Sequence, residues 1–127
     1  MRFKLPKNTD RISWTNHAIR KMQYYQLSEA RLKRVLNNPK RKELGIAPGT
    51  VAVMQPANSK HTSEIWLMYQ IVKSKVKSSK LKVITAWRYP GKSPIRGPIP
   101  IPEEILEELG ESISKTYVKT SYENQKN

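Results

Sequence analysis

The chain has 127 residues with 24 Lys and Arg against 10 Asp and Glu, a formal charge of +14, and no cysteine. That length suits one domain, and the missing thiols exclude disulfides, thiolate nucleophiles and cysteine-ligated metals together. The charge is uneven: residues 1–100 carry 21 basic and 4 acidic groups, residues 101–127 carry 3 and 6, so a basic body precedes an acidic end. Such a field selects polyanions, nucleic acid first, with acidic proteins and anionic membranes answering the same sign.

MRFKLPKNTDR at the start lacks the apolar stretch of a secretory signal, and no later run approaches the about 20 apolar residues of a membrane helix. A cytoplasmic protein with no membrane partner is the expectation. Arg11 to Trp14 forms either a short edge strand or a lead into the first helix. Thr15 or Asn16 can cap that helix, which runs to about Tyr25, because a short side-chain oxygen accepts a free first-turn amide. Ala18, Met22 and Tyr25 share its apolar face with Ile19 beside it, while His17, Arg20, Lys21 and Tyr24 take the other side. Ser28 caps a second helix from Glu29 to about Leu36, with Leu27 and Leu32 spaced as a hydrophobic staple. Leu32, Val35 and Leu36 form its buried side, Arg31, Lys33 and Arg34 its basic side, and Asn37, Asn38 and Pro39 end it.

Lys40, Arg41 and Lys42 make a basic run, and GIAPGT after it reads as a turn, since it lacks the GK[ST] ending of a phosphate loop. Strand patterning begins at Thr50. EIWLMYQIV, Glu64 to Val72, is apolar on both faces and predicts a central strand. Residues 73–80, with Lys73, Lys75 and Lys77, read as an exposed hairpin tip, and LKVITAWRY, Leu81 to Tyr89, returns as a strand with Ile84, Ala86 and Arg88 on one face and Val83, Thr85 and Trp87 on the other. The economical arrangement is an α+β fold in which two N-terminal helices pack on a three- or four-stranded antiparallel sheet. The proline-rich segment 90–102 runs extended over the surface. A terminal helix at 103–110 presents Ile105, Leu106 and Leu109 as its apolar face, ends at Gly110, and serves either as core cover or as an acidic mask over the basic body. Residues 1–110 form the domain and 111–127 a flexible tail.

Two histidines 44 positions apart and a single aspartate make a poor metal set, so no metal or cofactor is expected. Metal-free RNA cleavage needs less: an oriented 2′-hydroxyl, cations around the developing charge and a proton carrier. His17 with Arg20 and Lys21 offers an imidazole and two cations on one helix. Tyr69 and Arg88 occupy strands that a meander makes adjacent, and the planar guanidinium of Arg88 suits a phosphate oxygen pair or, equally, a salt bridge to Glu64 or a C-terminal glutamate. The catalytic candidates are therefore His17 for proton transfer, Arg20 and Arg88 for the phosphate and Tyr69 for the ribose. Packing explains His17 as readily as chemistry. Lys21, Arg31, Arg34, Lys40, Arg41, Lys42, Lys73, Lys75 and Lys77 form a diffuse nucleic-acid footprint.

NHAIRKM, Asn16 to Met22, followed by LSEARLKRVLNNP, Leu27 to Pro39, resembles the DUF4258 family, with Lys21 before Met22 at the family's arginine position and Arg20 adjacent. The order of two helices, a meander and a terminal helix resembles the RelE, ParE and BrnT-like toxins. The likeness covers roughly residues 11–90. It implies a RelE-like fold, RNA or the ribosome as partner, metal-independent endoribonuclease activity and an antitoxin or other acidic protein as neutraliser. The same superfamily contains gyrase inhibitors without ribonuclease chemistry, so a noncatalytic nucleic-acid-binding module and a protein-binding subunit stand beside the enzyme.

Overall fold

A computed structural model describes residues 3–73 and 79–113. Among them the element order is β1 (Ile12–Trp14), α1 (Asn16–Tyr25), α2 (Glu29–Asn37), β2 (Arg41–Leu44), β3 (Thr50–Pro56), β4 (Ser63–Lys73), β5 (Ser79–Pro90) and α3 (Glu103–Ile113). The class is α+β. The sheet, however, has five strands in the order β1-β5-β4-β3-β2 and is mixed, where three or four antiparallel strands were expected. One addition is β1, which lies parallel to β5 with Trp14 opposite Val83. The other is β2, which converts the basic run at Lys40 to Lys42 into an edge strand, Arg41 facing Met54 and Leu44 facing Val51. Gly45 makes that hairpin tight, because any Cβ there would overlap the Thr50 hydroxyl.

Both helix starts follow the capping expectation. Thr15 Oγ1 accepts the Ala18 amide at 3.0 Å and Ser28 Oγ accepts the Arg31 amide at 3.1 Å. The stapled Leu27 and Leu32 are both buried. α1 and α2 cover one face of the sheet, packing Ala18, Met22, Leu32 and Val35 onto Val53, Ile65, Leu67, Tyr69, Val83 and Ala86. On the opposite face Ile105 and Leu109 of α3 pack on Met54, Trp66, Met68, Ile84 and Trp87. β4 is thus central and covered on both sides, as its doubly apolar sequence requires.

Three details depart from simple periodicity. A register shift opposite Met68 and Tyr69 moves the pairing from Thr85 to Val83, so Ile84 joins Trp87 on the α3 face and Val83 joins Ala86 on the α1 face. Strict alternation across β5 fails there because a bulge adds a residue. Helix α3 continues through Gly110 to Ile113. Ile105 and Leu109 are buried, while Leu106 is 39% exposed, one hundred-degree step too far round the helix to reach the sheet. The expected tail from 114 onward and the tip at 74–78, with Lys75 and Lys77, lie outside the described residues.

Candidate nucleic-acid interface

The N-terminus of α1 sits against the bulge of β5. Thr15 caps the helix and donates its hydroxyl to the Ile84 carbonyl at 3.0 Å, and two residues on His17 Nε2 lies 3.0 Å from Thr85 Oγ1. The bulge leaves backbone and hydroxyl groups that regular pairing would not serve, and the first turn of α1 satisfies them. Burial pushes the His17 imidazole below its ordinary range; Glu108 opposes that shift, and Lys21 and Arg20 add to it. Burial thus favours the neutral imidazole, which the Thr85 contact holds to the sheet.

Its expected partners differ in what surrounds them. Arg20 is exposed on α1. Lys21, expected on the polar side of the helix, is 9% exposed, and Glu108 of α3 takes its ammonium at 2.6 Å. Tyr69 is buried beneath α1 and α2. Arg88 donates to the Tyr25 carbonyl at 3.2 Å, and among the described residues it forms no salt bridge to Glu64 or to a C-terminal glutamate. Tyr69 pairs with Val83 and Arg88 with Ile65, which separates the two by four positions along β4, about 13 Å. Tyr69 is thus buried and apart from Arg88, while His17 and Arg88 each have a partner within the protein.

The cations of the expected footprint divide into two sets. Arg31 is bound internally, to Gln55 Oε1 at 2.6 Å and the Pro56 carbonyl at 3.0 Å. Arg41 lies over the Trp66 ring at 5.0 Å and binds Glu43 and Ser93. Arg34, Lys40 and Lys42 are exposed along a continuous stretch that leaves the end of α2 for the edge strand β2. A second exposed group, Lys73 and Lys82, lies on the far part of the β4–β5 ribbon. Of the four acidic residues before position 101, Glu29 is bridged to Lys33 and Glu43 to Arg41, Glu64 is turned inward, and Asp10 is exposed.

Glu64 is the polar centre that sequence reasoning passed over. It is fully buried. Oε1 accepts from Trp66 Nε1 at 3.0 Å and Ser93 Oγ at 2.6 Å, and Oε2 from the Ser93 amide at 3.1 Å and His61 Nε2 at 2.7 Å. Because an ionised carboxylate only accepts, His61 carries its proton on Nε2 in this contact. Burial pushes the Glu64 carboxyl up, but the bonds from Ser93, His61 and Trp66 outweigh it and hold the group below its ordinary range. His61, in the loop before β4, is half-buried at φ 54°, its backbone bent to deliver the ring. All four carboxylate contacts are taken, so the cluster pins the proline-rich segment to the sheet at Ser93 and leaves no lone pair for a substrate. A glutamate two positions before a tryptophan was the available signal, but Ser93 and His61 lie on loops whose position only the fold sets.

Among the described residues no three His, Asp or Glu side chains group as a metal site, and no helix is long and apolar enough to cross a membrane. Sheet and surface together define a small, strongly basic α+β protein, covered on both faces and cationic along one edge and one ribbon. Compared with known proteins, the chain matches no family model, no curated protein and no solved structure.

Proposed function

We propose that this chain is an RNA-binding protein of RelE-like architecture that grips the sugar-phosphate backbone through exposed cations and does not cleave it. The observation that carries this reading is the division of the basic residues. Lys21, Arg31, Arg41 and Arg88 are engaged inside the protein, whereas Arg34, Lys40, Lys42, Lys73 and Lys82 remain exposed. Of the four carboxylates before position 101, Glu29 and Glu43 are paired and Glu64 is buried, which leaves Asp10 exposed. The element order, two helices before a meander and a terminal helix, supports RNA as the polyanion through the resemblance to ribonuclease-fold toxins. The separate engagements of His17, Tyr69 and Arg88 favour binding over turnover.

The test is fluorescence anisotropy with a single-stranded RNA oligonucleotide over a salt series, with an EDTA-containing cleavage assay in parallel. Affinity should fall log-linearly with salt, and R34Q/K40Q/K42Q should lower the slope by about 2, at about 0.7 per phosphate contact on a single strand. RNA should stay intact. Discrete products lost in H17A would restore the catalytic reading, and no RNA binding at low salt would leave an acidic protein as the partner.

A further inference from the structure

A groove of about 650 Å³ opens between the N-terminal arm and the α1–α2 turn, within the about 300–1,000 Å³ range of small-ligand sites. Its arm wall is fixed. Trp14 Nε1 donates to the Lys7 carbonyl at 3.2 Å, the Trp14 amide to Asn8 Oδ1 at 2.9 Å, and Phe3 packs on the core beneath α1 and α2. Phe3 and Leu27 supply an apolar floor, Lys4 and Lys7 stand on the arm, and Gln23 and Gln26 on the opposite rim. Both lysines and both glutamines are exposed.

Gln26 adds an independent pointer. Only two non-glycine residues among those described have positive φ, Gln26 at 57° and His61 at 54°. Glycine or asparagine is the usual choice for the left-handed cap that Gln26 occupies at the end of α1. For His61 the bond to Glu64 accounts for a long side chain in that conformation. The Gln26 amide has no hydrogen-bond partner among the described residues, and it lines the groove. Its neighbour on that rim, Gln23, has none either. Two side-chain amides, each offering donors and an acceptor, beside an aromatic ring and two ammonium groups, match three features of a nucleotide: the edge of its base, the face of its base and its phosphate.

We propose that this groove takes one unpaired nucleotide, its base against Phe3, the base edge on Gln23 and Gln26, and its phosphate toward Lys4 and Lys7. Glu29 also lines the groove, but its charge is matched by Lys33 at 3.0 Å and it accepts the Lys7 amide at 3.4 Å, so it braces the wall. The nucleotide comes either from single-stranded RNA, which rests on the function proposed above, or from a free nucleoside monophosphate.

Chemical-shift mapping on the full chain separates these sources, with CMP and AMP as free probes and a decanucleotide RNA as the strand. The expected result is shifts at residues 3–7 and 23–30 with both kinds of probe. Gln26→Gly relieves the left-handed strain and should hold or raise the melting temperature while abolishing the mononucleotide shifts. Phe3→Leu keeps apolar packing and should weaken the strand about fivefold or more through lost stacking. Strand binding with no shifts in the groove overturns this inference and leaves the RNA reading standing. Mononucleotide shifts in the groove without strand binding support the groove and remove the RNA reading. If neither probe binds, both fall.

Discussion

Replacing Glu64 with glutamine tests the buried cluster most sharply, because the substitution preserves shape and changes only hydrogen-bond sign. The carboxylate accepts four bonds, two of them from groups that can only donate: Trp66 Nε1 and the Ser93 amide. These donors face different oxygens. Whichever way a glutamine amide is turned, its NH₂ therefore meets one of them and leaves a buried N–H without an acceptor. An orphaned donor costs about 1–3 kcal/mol, and weakening the remaining charge-assisted bonds about 1 more, so the expected loss is about 2–4 kcal/mol. Relief of the desolvation penalty works the other way. It does not reverse the sign, since the depressed carboxyl shows that the site favours the charged form. The assay is urea unfolding followed by tryptophan fluorescence, at pH 7 and again at about pH 3. A carboxyl lowered in the fold contributes stability above its unfolded value near 4.5 and loses it as pH falls through the lower folded value. The gap between wild type and Glu64→Gln should therefore narrow in acid. Equal urea midpoints at pH 7, or a gap that does not change with acid, would refute the reasoning.

Two further outcomes concern the opposite ends of α1 and α3. Leu109 is 3% exposed against the sheet and Leu106 is 39% exposed, so Leu109→Ala should cost about 2–5 kcal/mol and Leu106→Ala under about 0.5. Thermal unfolding decides this, and equal losses would mean that α3 docks through a different face. His17 should titrate by NMR with a midpoint below 6.5. Its contribution is full above that value and declines as pH falls toward the lowered one, and His17→Ala should remove this dependence along with a Thr85 contact worth about 1 kcal/mol. A midpoint above 6.5 would mean that attraction to Glu108 outweighs burial.

Much of the scaffold was legible in the chain itself. Thr15 and Ser28 announce their helices because a cap is a local bond, made between residues three apart. The doubly apolar run from Glu64 to Val72 identifies a central strand because a period of two with both faces greasy has few other uses. β2 was not legible: Arg41–Leu44 has no apolar alternation, and pairing with β3 rather than its own composition makes it a strand. Nor was the bulge that turns Ile84 toward α3. The candidate site divides in the same way. Which residues are cations is written in the sequence, together with the sign of the field they create. Which cations are spent inside the protein was decided by tertiary structure, because Lys21 meets Glu108 and Arg88 meets the Tyr25 carbonyl across long stretches of chain. Charge is a property each residue carries alone, whereas exposure depends on partners that only the folded chain brings within reach.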